Sequence, residues 1–545
     1  MRSHDKVFWG WWAVLFLLSS LWALANPLMA SPDEPAHTVK AAAVARGQLL
    51  GEDTQGGTAV DVPYFYRLVT AYPTCYMFVP DEPAGCDIVP TEELDAASDA
   101  VTPAGRYNPL YYSVVGLPTL LPAGDGALYA MRILSAALTT FFVALGLRAL
   151  AQTGPAPWAV PGLAGALTPM VVFLTSTVNP AAIEITAAFA LWSLLLALLR
   201  HPDPALVRSR MWWVALATTF FVNARGLSLL YCAVLVAAVL LVSPWRSFLD
   251  VVRTRAAWPP LAVVVLACVA AAGWVVGTNS LGSGDAVNHP DLTFVPAAKL
   301  TFFAWDGFVL NMVGQFGWMD TPLEGWVLMA FAAGSAFVVL AALAVGRWRD
   351  RAGVVAVAAA TFALPVVVHA SQAHFLGFIW QGRYILPVAI GVPVLAAYVL
   401  HGRSQEVPVA WAPAVRRIGA QVAVVLGALL AFVQLAAFLE NLHRYVNGET
   451  GGWFSLAPDA WLPPVPLALL LPLGLVATVA FGVLVAWTAR QPGPHPAVPA
   501  PGGESVAADE HATAAPGRDL PDPDTRDDRT AEPGRPAVGS VGSAG

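Results

Sequence analysis

The sequence predicts an all-α integral membrane protein, and three observations lead to this fold class. Of the 545 residues, 57% are hydrophobic and only 12% are charged, which is about half the charge of an average soluble protein. The mean hydropathy is +0.61. The apolar residues come in runs of roughly 17–25, the length that an α-helix needs to cross about 30 Å of hydrocarbon. We therefore expect a polytopic membrane domain over residues 1–490.

About twelve membrane spans are expected, and we interpret the first as a retained signal anchor. Short cytoplasmic connections of membrane proteins collect arginine, and here the connections 201–210, 244–258, 347–351 and 401–417 are the basic ones. Alternate counting then places both termini in the cytoplasm. The expected spans are 8–28, 128–150, 157–175, 181–200, 211–225, 227–243, 258–277, 325–345, 354–370, 384–400, 418–438 and 465–488.

The opposite, extracytoplasmic face receives four sizeable loops at about 30–127, 278–323, 371–383 and 439–464. The first loop is the largest and contains Cys75 and Cys86. A disulfide between them is plausible if the loop lies outside the cell, and two unpaired thiols are the alternative. Residues 491–545 are rich in Pro, Gly, Ala and Asp and nearly lack large apolar side chains, so we expect a disordered cytoplasmic tail.

An acidic segment, SPDEPAH at residues 31–37, directly follows the first span. Asp33, Glu34 and His37 fall within one helical turn at the water–lipid boundary and could form a general base or a metal site. A structural alternative explains part of the pattern: Ser31 as an N-cap, Pro32 as the first helical residue and Glu34 closing a capping box. That alternative leaves Asp33 and His37, which share a helix face, unexplained.

Further motifs along the chain carry a family resemblance. They are RYNPLYY at 106–112, STVNP at 176–180, GQFGWMDTP at 314–322 and QGRY at 381–384. Together with SPDEPAH, they resemble an uncharacterised bacterial family of large polytopic membrane proteins, over roughly residues 8–488. That family is similar to the GT-C superfamily of glycosyltransferases, which use polyprenyl-phosphate-linked sugars. The resemblance implies a GT-C-like fold in a bacterial plasma membrane.

The resemblance also implies a mechanism, because GT-C enzymes place an acidic residue in the first extracytoplasmic loop. Asp33 matches best and Glu34 second, as a general base that accepts the proton of the acceptor hydroxyl. His37 could orient Asp33 or contact phosphate. A single displacement at the anomeric carbon implies inversion. A divalent cation could also take part, and we do not assign residues to a metal site.

The departing phosphate and the sugar need binding groups. Arg383, between Gln381 and Tyr384, is the first choice for the phosphate, and snorkelling to the interface is its structural alternative. Asn179 could equally be a helix cap, and Trp318 could belong to an interfacial belt. The expected substrate-binding residues are Arg383, Tyr384, Gln381, Arg132, Arg106, Asn108, Asn179, Gln315, Trp318 and Asp320.

We therefore expect a membrane glycosyltransferase that moves a sugar from a polyprenyl-phosphate donor to a cell-envelope glycan, lipid or protein on the extracytoplasmic face. The alternative is a transporter or flippase of lipid-linked saccharides, whose path would be lined by Arg132, Arg225 and Glu184. A non-catalytic scaffold is a third reading. No basic patch suggests nucleic acid, and the sequence leaves the sugar, the acceptor and the oligomeric state open.

Overall fold

The computed structural model describes residues 3–86, 88–282 and 287–491, so the expected disordered tail lies outside the described residues except for Gln491. The protein is a polytopic helical membrane protein, as expected. Its helices are α1 (Ser3–Ala25), α2 (Glu34–Ala45), α3 (Tyr64–Leu68), α4 (Leu110–Val115), α5 (Asp125–Ala151), α6 (Val160–Gly165), α7 (Pro169–Thr175), α8 (Pro180–Arg200), α9 (Val207–Val222), α10 (Ser228–Val242), α11 (Trp245–Arg253), α12 (Trp258–Gly277), α13 (Phe294–Phe303), α14 (Trp305–Val313), α15 (Gly325–Val345), α16 (Trp348–Leu376), α17 (Leu386–Ala389), α18 (Gly391–Gln405), α19 (Ala412–Asn447) and α20 (Leu467–Ala489).

The expected count of twelve spans is not confirmed. Within the described residues, nine helices are long and apolar enough to cross a membrane, or ten if α10 and α11, bent by 115°, form one span. The expected span 157–175 is instead the two short helices α6 and α7, because Thr168 caps a new helix that starts at Pro169. Helices α9 and α10 have 16 and 15 residues and reach only about 24 Å at 1.5 Å per residue.

Helix α8 lies at the centre of the bundle. In an 18-residue apolar stretch of α8, 94% of the residues are buried, against 17% in the corresponding stretch of the span that contains α12. A membrane helix that is apolar on all sides can face either lipid or protein, and α8 faces protein on nearly all sides. The first residues of α8 therefore mark the middle of the bundle end at which the candidate site lies.

Both chain termini of the membrane domain lie at one end of the bundle. Ser3 and Gln491 line the same small cavity, and Trp11 Nε1 donates to Thr488 Oγ1 over 2.9 Å. Ionic side chains cluster at this end, in the pairs Arg148–Asp5 (3.0 Å) and Arg200–Asp350 (2.7 Å). The basic connections and the termini thus share one end of the bundle. That this end is cytoplasmic stays a prediction of the arginine distribution.

The segment between α1 and α5 lies at the other end. It contains α2 and an antiparallel sheet of β1 (Glu52–Thr54), β2 (Gly57–Pro63) and β3 (Ala97–Thr102), in which Glu52 faces Ala59 and Val60 faces Ala100. Cys75 and Cys86 form a disulfide. The closed loop is held to the end of α19 because Arg444 donates to the carbonyls of Tyr76, Val79 and Glu82. A second hairpin pairs β4 (Gln315–Phe316) with β5 (Thr321–Pro322).

Candidate functional site

An ion pair between Asp33 and Arg383 forms the centre of the candidate site. Arg383 Nη2 donates to Asp33 Oδ2 over 2.6 Å. The side chain of Asp33 is 51% exposed, whereas that of Arg383 is 4% exposed. Asp33 has a left-handed backbone (φ 65°, ψ −1°) and immediately precedes α2, a conformation that Asp tolerates better than most residues. An accessible carboxylate is thus fixed on a buried cation.

The charge state of this carboxylate follows from its surroundings. Partial burial opposes ionisation of Asp33, but the electrostatic attraction of Arg383, His37 and Arg225, with the hydrogen bond from Arg383, outweighs it and holds the pKa of Asp33 below its ordinary value of 3.8. Burial lowers the pKa of His37 to about 3, and its Nδ1 shares a 2.8 Å hydrogen bond with the Tyr112 hydroxyl. At neutral pH Asp33 is therefore anionic and His37 is neutral, so His37 offers no positive charge to a phosphate.

Glu34, although adjacent to Asp33, has a structural role. Arg132 donates from Nε and Nη2 to the two carboxylate oxygens of Glu34 over 2.8 and 2.6 Å. Its remaining N–H groups donate to the carbonyls of Ala23, Asn26 and Pro27, so each of its five donors is used. Both side chains are 1% exposed. This arrangement leaves Glu34 unavailable as a base and Arg132 without a donor for phosphate.

The expected capping box is also absent from the start of α2. The helix begins at Glu34, its N-cap residue is Asp33, and no side chain caps it. Ser31 is fully buried, and its hydroxyl has no partner among the described residues. The capping interpretation was therefore wrong, because the Glu34 carboxylate accepts hydrogen bonds from Arg132 instead.

Asn179 holds the acidic segment in place. Its side-chain oxygen accepts from Ala181 N over 2.9 Å, as expected of a helix cap, and its amide donates to the Pro32 carbonyl over 3.2 Å. Arg383 Nη1 approaches the same carbonyl at 3.5 Å. The start of α8 and the QGRY motif thus fix the backbone that presents Asp33.

Tyr384 of the QGRY motif lies beside two cationic groups, those of Arg383 and Arg225. The guanidinium of Arg225 lies 4.5 Å from the centroid of the Tyr384 ring, and that of Arg383 lies 5.4 Å from it. Arg383 Nε and Gln381 Oε1 are buried and have no hydrogen-bond partner in the described part of the chain. Arg383 does not snorkel outward. Two guanidinium groups on one aromatic ring are suited to bind a phosphate.

Gln315, Trp318 and Asp320 mainly connect parts of the protein. Asp320 accepts from Phe78 N and Arg444, and Trp318 Nε1 donates to the Met29 carbonyl over 3.2 Å. These bonds attach the β4–β5 hairpin to the disulfide loop and to the end of α1. Gln315 donates to its own hairpin, and it also lines a very small cavity beside Pro32 and Arg383.

Arg106 and Asn108 lie at a larger cavity of about 160 Å³, which Arg225 and Tyr384 also line. Arg106 pairs with Asp53 at 2.9 Å, and Asn108 donates to Asn223 over 2.9 Å. Three aromatic residues that line this cavity were not among the expected substrate-binding residues. They are Tyr231, Trp274 and Trp380. Tyr231 and Trp274 lie within apolar runs, where nothing separates a cavity-lining aromatic from a packing one.

Within residues 3–86, 88–282 and 287–491, no group of three or more His, Cys, Asp or Glu side chains is arranged to hold a metal ion. His369, which lines the cavity of about 160 Å³, uses both ring nitrogens, one with Thr301 Oγ1 at 2.8 Å and one with the Gly377 carbonyl at 3.1 Å. We therefore build no metal site from protein side chains.

Comparisons with known proteins identify the family. Residues 16–392 match the model of DUF2142, described as a predicted membrane protein, and this range includes both Asp33 and Arg383. A search of curated proteins finds no match. Among solved structures, the chain is similar to ArnT from Cupriavidus metallidurans bound to undecaprenyl phosphate, with 13% identity and a TM-score of 0.40, over 88% of this chain and 76% of that one. Because the family model covers more than half of the sequence, the chain belongs to the DUF2142 family of predicted membrane proteins.

Proposed function

We propose that this protein is a membrane glycosyltransferase that moves a sugar from a polyprenyl-phosphate donor to a cell-envelope acceptor on the extracytoplasmic face of a bacterial plasma membrane. The observation that carries the proposal is the accessible, ionised Asp33 carboxylate held by the buried Arg383. The GT-C-like motif order in the sequence supports it. The site end of the bundle is opposite the end that holds the termini and the basic connections, which supports the extracytoplasmic placement.

The proposed reaction is a single displacement. The oxygen of an acceptor hydroxyl attacks the anomeric carbon, the bond from that carbon to the phosphate oxygen breaks, and polyprenyl phosphate leaves with the electron pair. Asp33 accepts the proton of the attacking hydroxyl. Attack from the side opposite the phosphate inverts the anomeric configuration. Arg383 and Arg225 stabilise the negative charge that grows on the leaving phosphate.

The lowered pKa of Asp33 constrains this mechanism. A carboxylate of low pKa is a weak base, so proton transfer occurs late, when the new bond has already acidified the hydroxyl. A bound donor phosphate competes with Asp33 for the Arg383 guanidinium. Its negative charge also raises the affinity of Asp33 for a proton. The carboxylate therefore becomes more basic when the donor is in place.

The transporter alternative depends on charges that line a path through the membrane. Arg132, one of its three residues, is fully bonded to Glu34 and to the end of α1. Arg225 and Glu184 approach each other at 3.8 Å. A mobile saccharide would have to displace these partners at each passage. The interfacial Asp33–Arg383 pair fits a transferase better.

Arg383→Gln should weaken donor binding by roughly 10- to 100-fold, because hydrogen bonds to a charged group contribute about 1.5–3 kcal/mol. It should also move the acid limb of the pH–activity profile to higher pH. The opposite charge that lowers the pKa of Asp33 is lost, while the burial that raises it remains. The donor KM and the pH profile of residual transfer measure both effects.

The control for this variant is Arg416→Gln, which removes an exposed arginine near the start of α19. It should change neither the donor KM nor the pH profile. An Arg383→Gln protein with wild-type donor KM would show that the phosphate does not bind to this guanidinium.

A further inference from the structure

The cavity of about 160 Å³ lies beside the phosphate site and is formed by several helices. Its walls come from the segment 106–108, α8, the end of α9, the α9–α10 connection, α10, α12, residues 280–281, α16 and the segment 379–384. A buried water needs at least about 10–15 Å³ of such space, so the cavity has room for roughly ten waters. This volume is comparable to that of a small polar ligand with one ring. Arg225 and Tyr384 belong both to this cavity and to the phosphate site.

Four side chains that line the cavity have a buried polar atom without a hydrogen-bond partner among the described residues. They are Tyr231 Oη, Ser280 Oγ, Trp380 Nε1 and Glu184 Oε2, the last of which has only a long 3.8 Å ion-pair contact with Arg225. Buried polar atoms are nearly always hydrogen-bonded, since an unpaired one costs free energy. Four such atoms around one cavity indicate a ligand that brings its own polar groups.

The chemistry of these atoms describes the ligand. An indole N–H only donates, a carboxylate only accepts, and a hydroxyl does both. Hydroxyl groups on a ligand both donate and accept, so they can form hydrogen bonds with all of these atoms. A prenyl chain can form none. Trp274, Trp380 and Tyr384 supply aromatic surface for the C–H faces of a ring. The charge of Glu184 is already opposed by Arg225 at 3.8 Å, so an uncharged ligand fits.

We propose that this cavity binds the single, uncharged sugar ring of the donor, and that Glu184, Tyr231 and Trp380 recognise its hydroxyl groups. The assignment rests on the proposed function, because it takes the donor phosphate to lie on Arg383 and Arg225. It makes this cavity the determinant of sugar specificity. The prenyl chain then leaves the site toward the lipid, outside the cavity.

Tyr231→Phe is the sharpest test, because it removes an oxygen that has no partner in the protein. The purified full-length protein in nanodiscs is titrated with farnesyl phosphate and with a panel of hexosyl farnesyl phosphates. In the wild type, the best hexosyl ligand should bind at least about tenfold more tightly than farnesyl phosphate. Tyr231→Phe should reduce this sugar-dependent gain about tenfold and leave the affinity for farnesyl phosphate within about twofold. Glu184→Gln should also reduce the sugar-dependent gain, and it should not weaken farnesyl phosphate binding, because it removes the carboxylate that opposes the charge of Arg225.

The matched control is Tyr398→Phe, at a buried tyrosine whose hydroxyl donates to the Ser193 carbonyl over 2.9 Å. It should lower the melting temperature and leave both affinities unchanged. Tyr231→Phe, in contrast, should keep or raise the melting temperature of the unliganded protein, because an unpaired buried hydroxyl is removed.

Two results would overturn the assignment: no hexosyl ligand binds more tightly than farnesyl phosphate, or Tyr231→Phe and Glu184→Gln weaken both ligands equally. These outcomes differ from a failure of the proposed function. If the sugar-dependent gain is present and the variants remove it, but no glycosidic bond ever forms, then the cavity is a sugar site and the transferase proposal is wrong.

Discussion

Asp33→Asn is expected to abolish sugar transfer while the amount of folded protein stays at the wild-type level. Asn has the same shape, tolerates the left-handed backbone of this position, and its oxygen can still accept from Arg383. It cannot accept the proton of the acceptor hydroxyl. General base catalysis contributes about 10²- to 10⁴-fold, so the rate should fall by at least 100-fold. Transfer in membranes supplied with donor, normalised to the immunoblotted protein, measures the effect.

The control for this variant is Asp53→Asn in the same inter-helix segment. Asp53 is 69% exposed and pairs with Arg106 at the surface, where an ion pair contributes little. Its transfer rate should remain near that of the wild type. Wild-type turnover in Asp33→Asn would remove the base from the mechanism.

Glu34→Gln is expected to destabilise the protein by roughly 3–5 kcal/mol, the cost of breaking a buried ion pair by removing one partner. Arg132 is 1% exposed, so its charge would remain buried beside carbonyls alone. The bonds it shares with Glu34 join the end of α1, α2 and α5. The free energy of unfolding, or the melting temperature in detergent, reports the loss.

Two comparisons sharpen this second prediction. Asp33→Asn, one residue away, should lower the melting temperature much less than Glu34→Gln, because the Asp33 carboxylate is half exposed to solvent whereas that of Glu34 is 1% exposed. Glu34→Gln combined with Arg132→Met should recover part of the lost stability, since the unpaired charge is gone. Equal stability of Glu34→Gln and the wild type would contradict the structural role of this pair.

Composition, hydropathy and the length of the apolar runs sufficed to predict the fold class, but the expected count of twelve spans is not confirmed, since nine or ten helices of the described residues are long and apolar enough to cross. A run such as 157–175 is apolar throughout, and hydropathy does not register that Thr168 and Pro169 start a second helix. Runs 211–225 and 227–243 are apolar but short, and they form α9 and α10, helices of 16 and 15 residues. Hydropathy measures transfer into lipid and not the geometry of helix ends.

The site was predictable residue by residue only in part. Asp33 and Arg383 were each singled out by their motifs, yet their contact joins positions 350 residues apart and is visible only in the fold. Nothing in the sequence separates the two neighbouring carboxylates, whereas in the structure Asp33, at a positive φ, is half exposed and Glu34 is 1% exposed. Tyr231 and Trp274 escaped notice because aromatic residues are common in membrane helices.

The most direct measurement gives the purified protein in liposomes a hexosyl polyprenyl phosphate and a cell-envelope acceptor fraction. Two species are then quantified: free polyprenyl phosphate, and donor that has crossed the bilayer intact. A Glu52→Cys protein labelled with an impermeant maleimide reports which side the site faces. We expect a new glycosidic bond and free polyprenyl phosphate on the labelled side, both dependent on Asp33. Intact donor moved between leaflets without bond formation would contradict it.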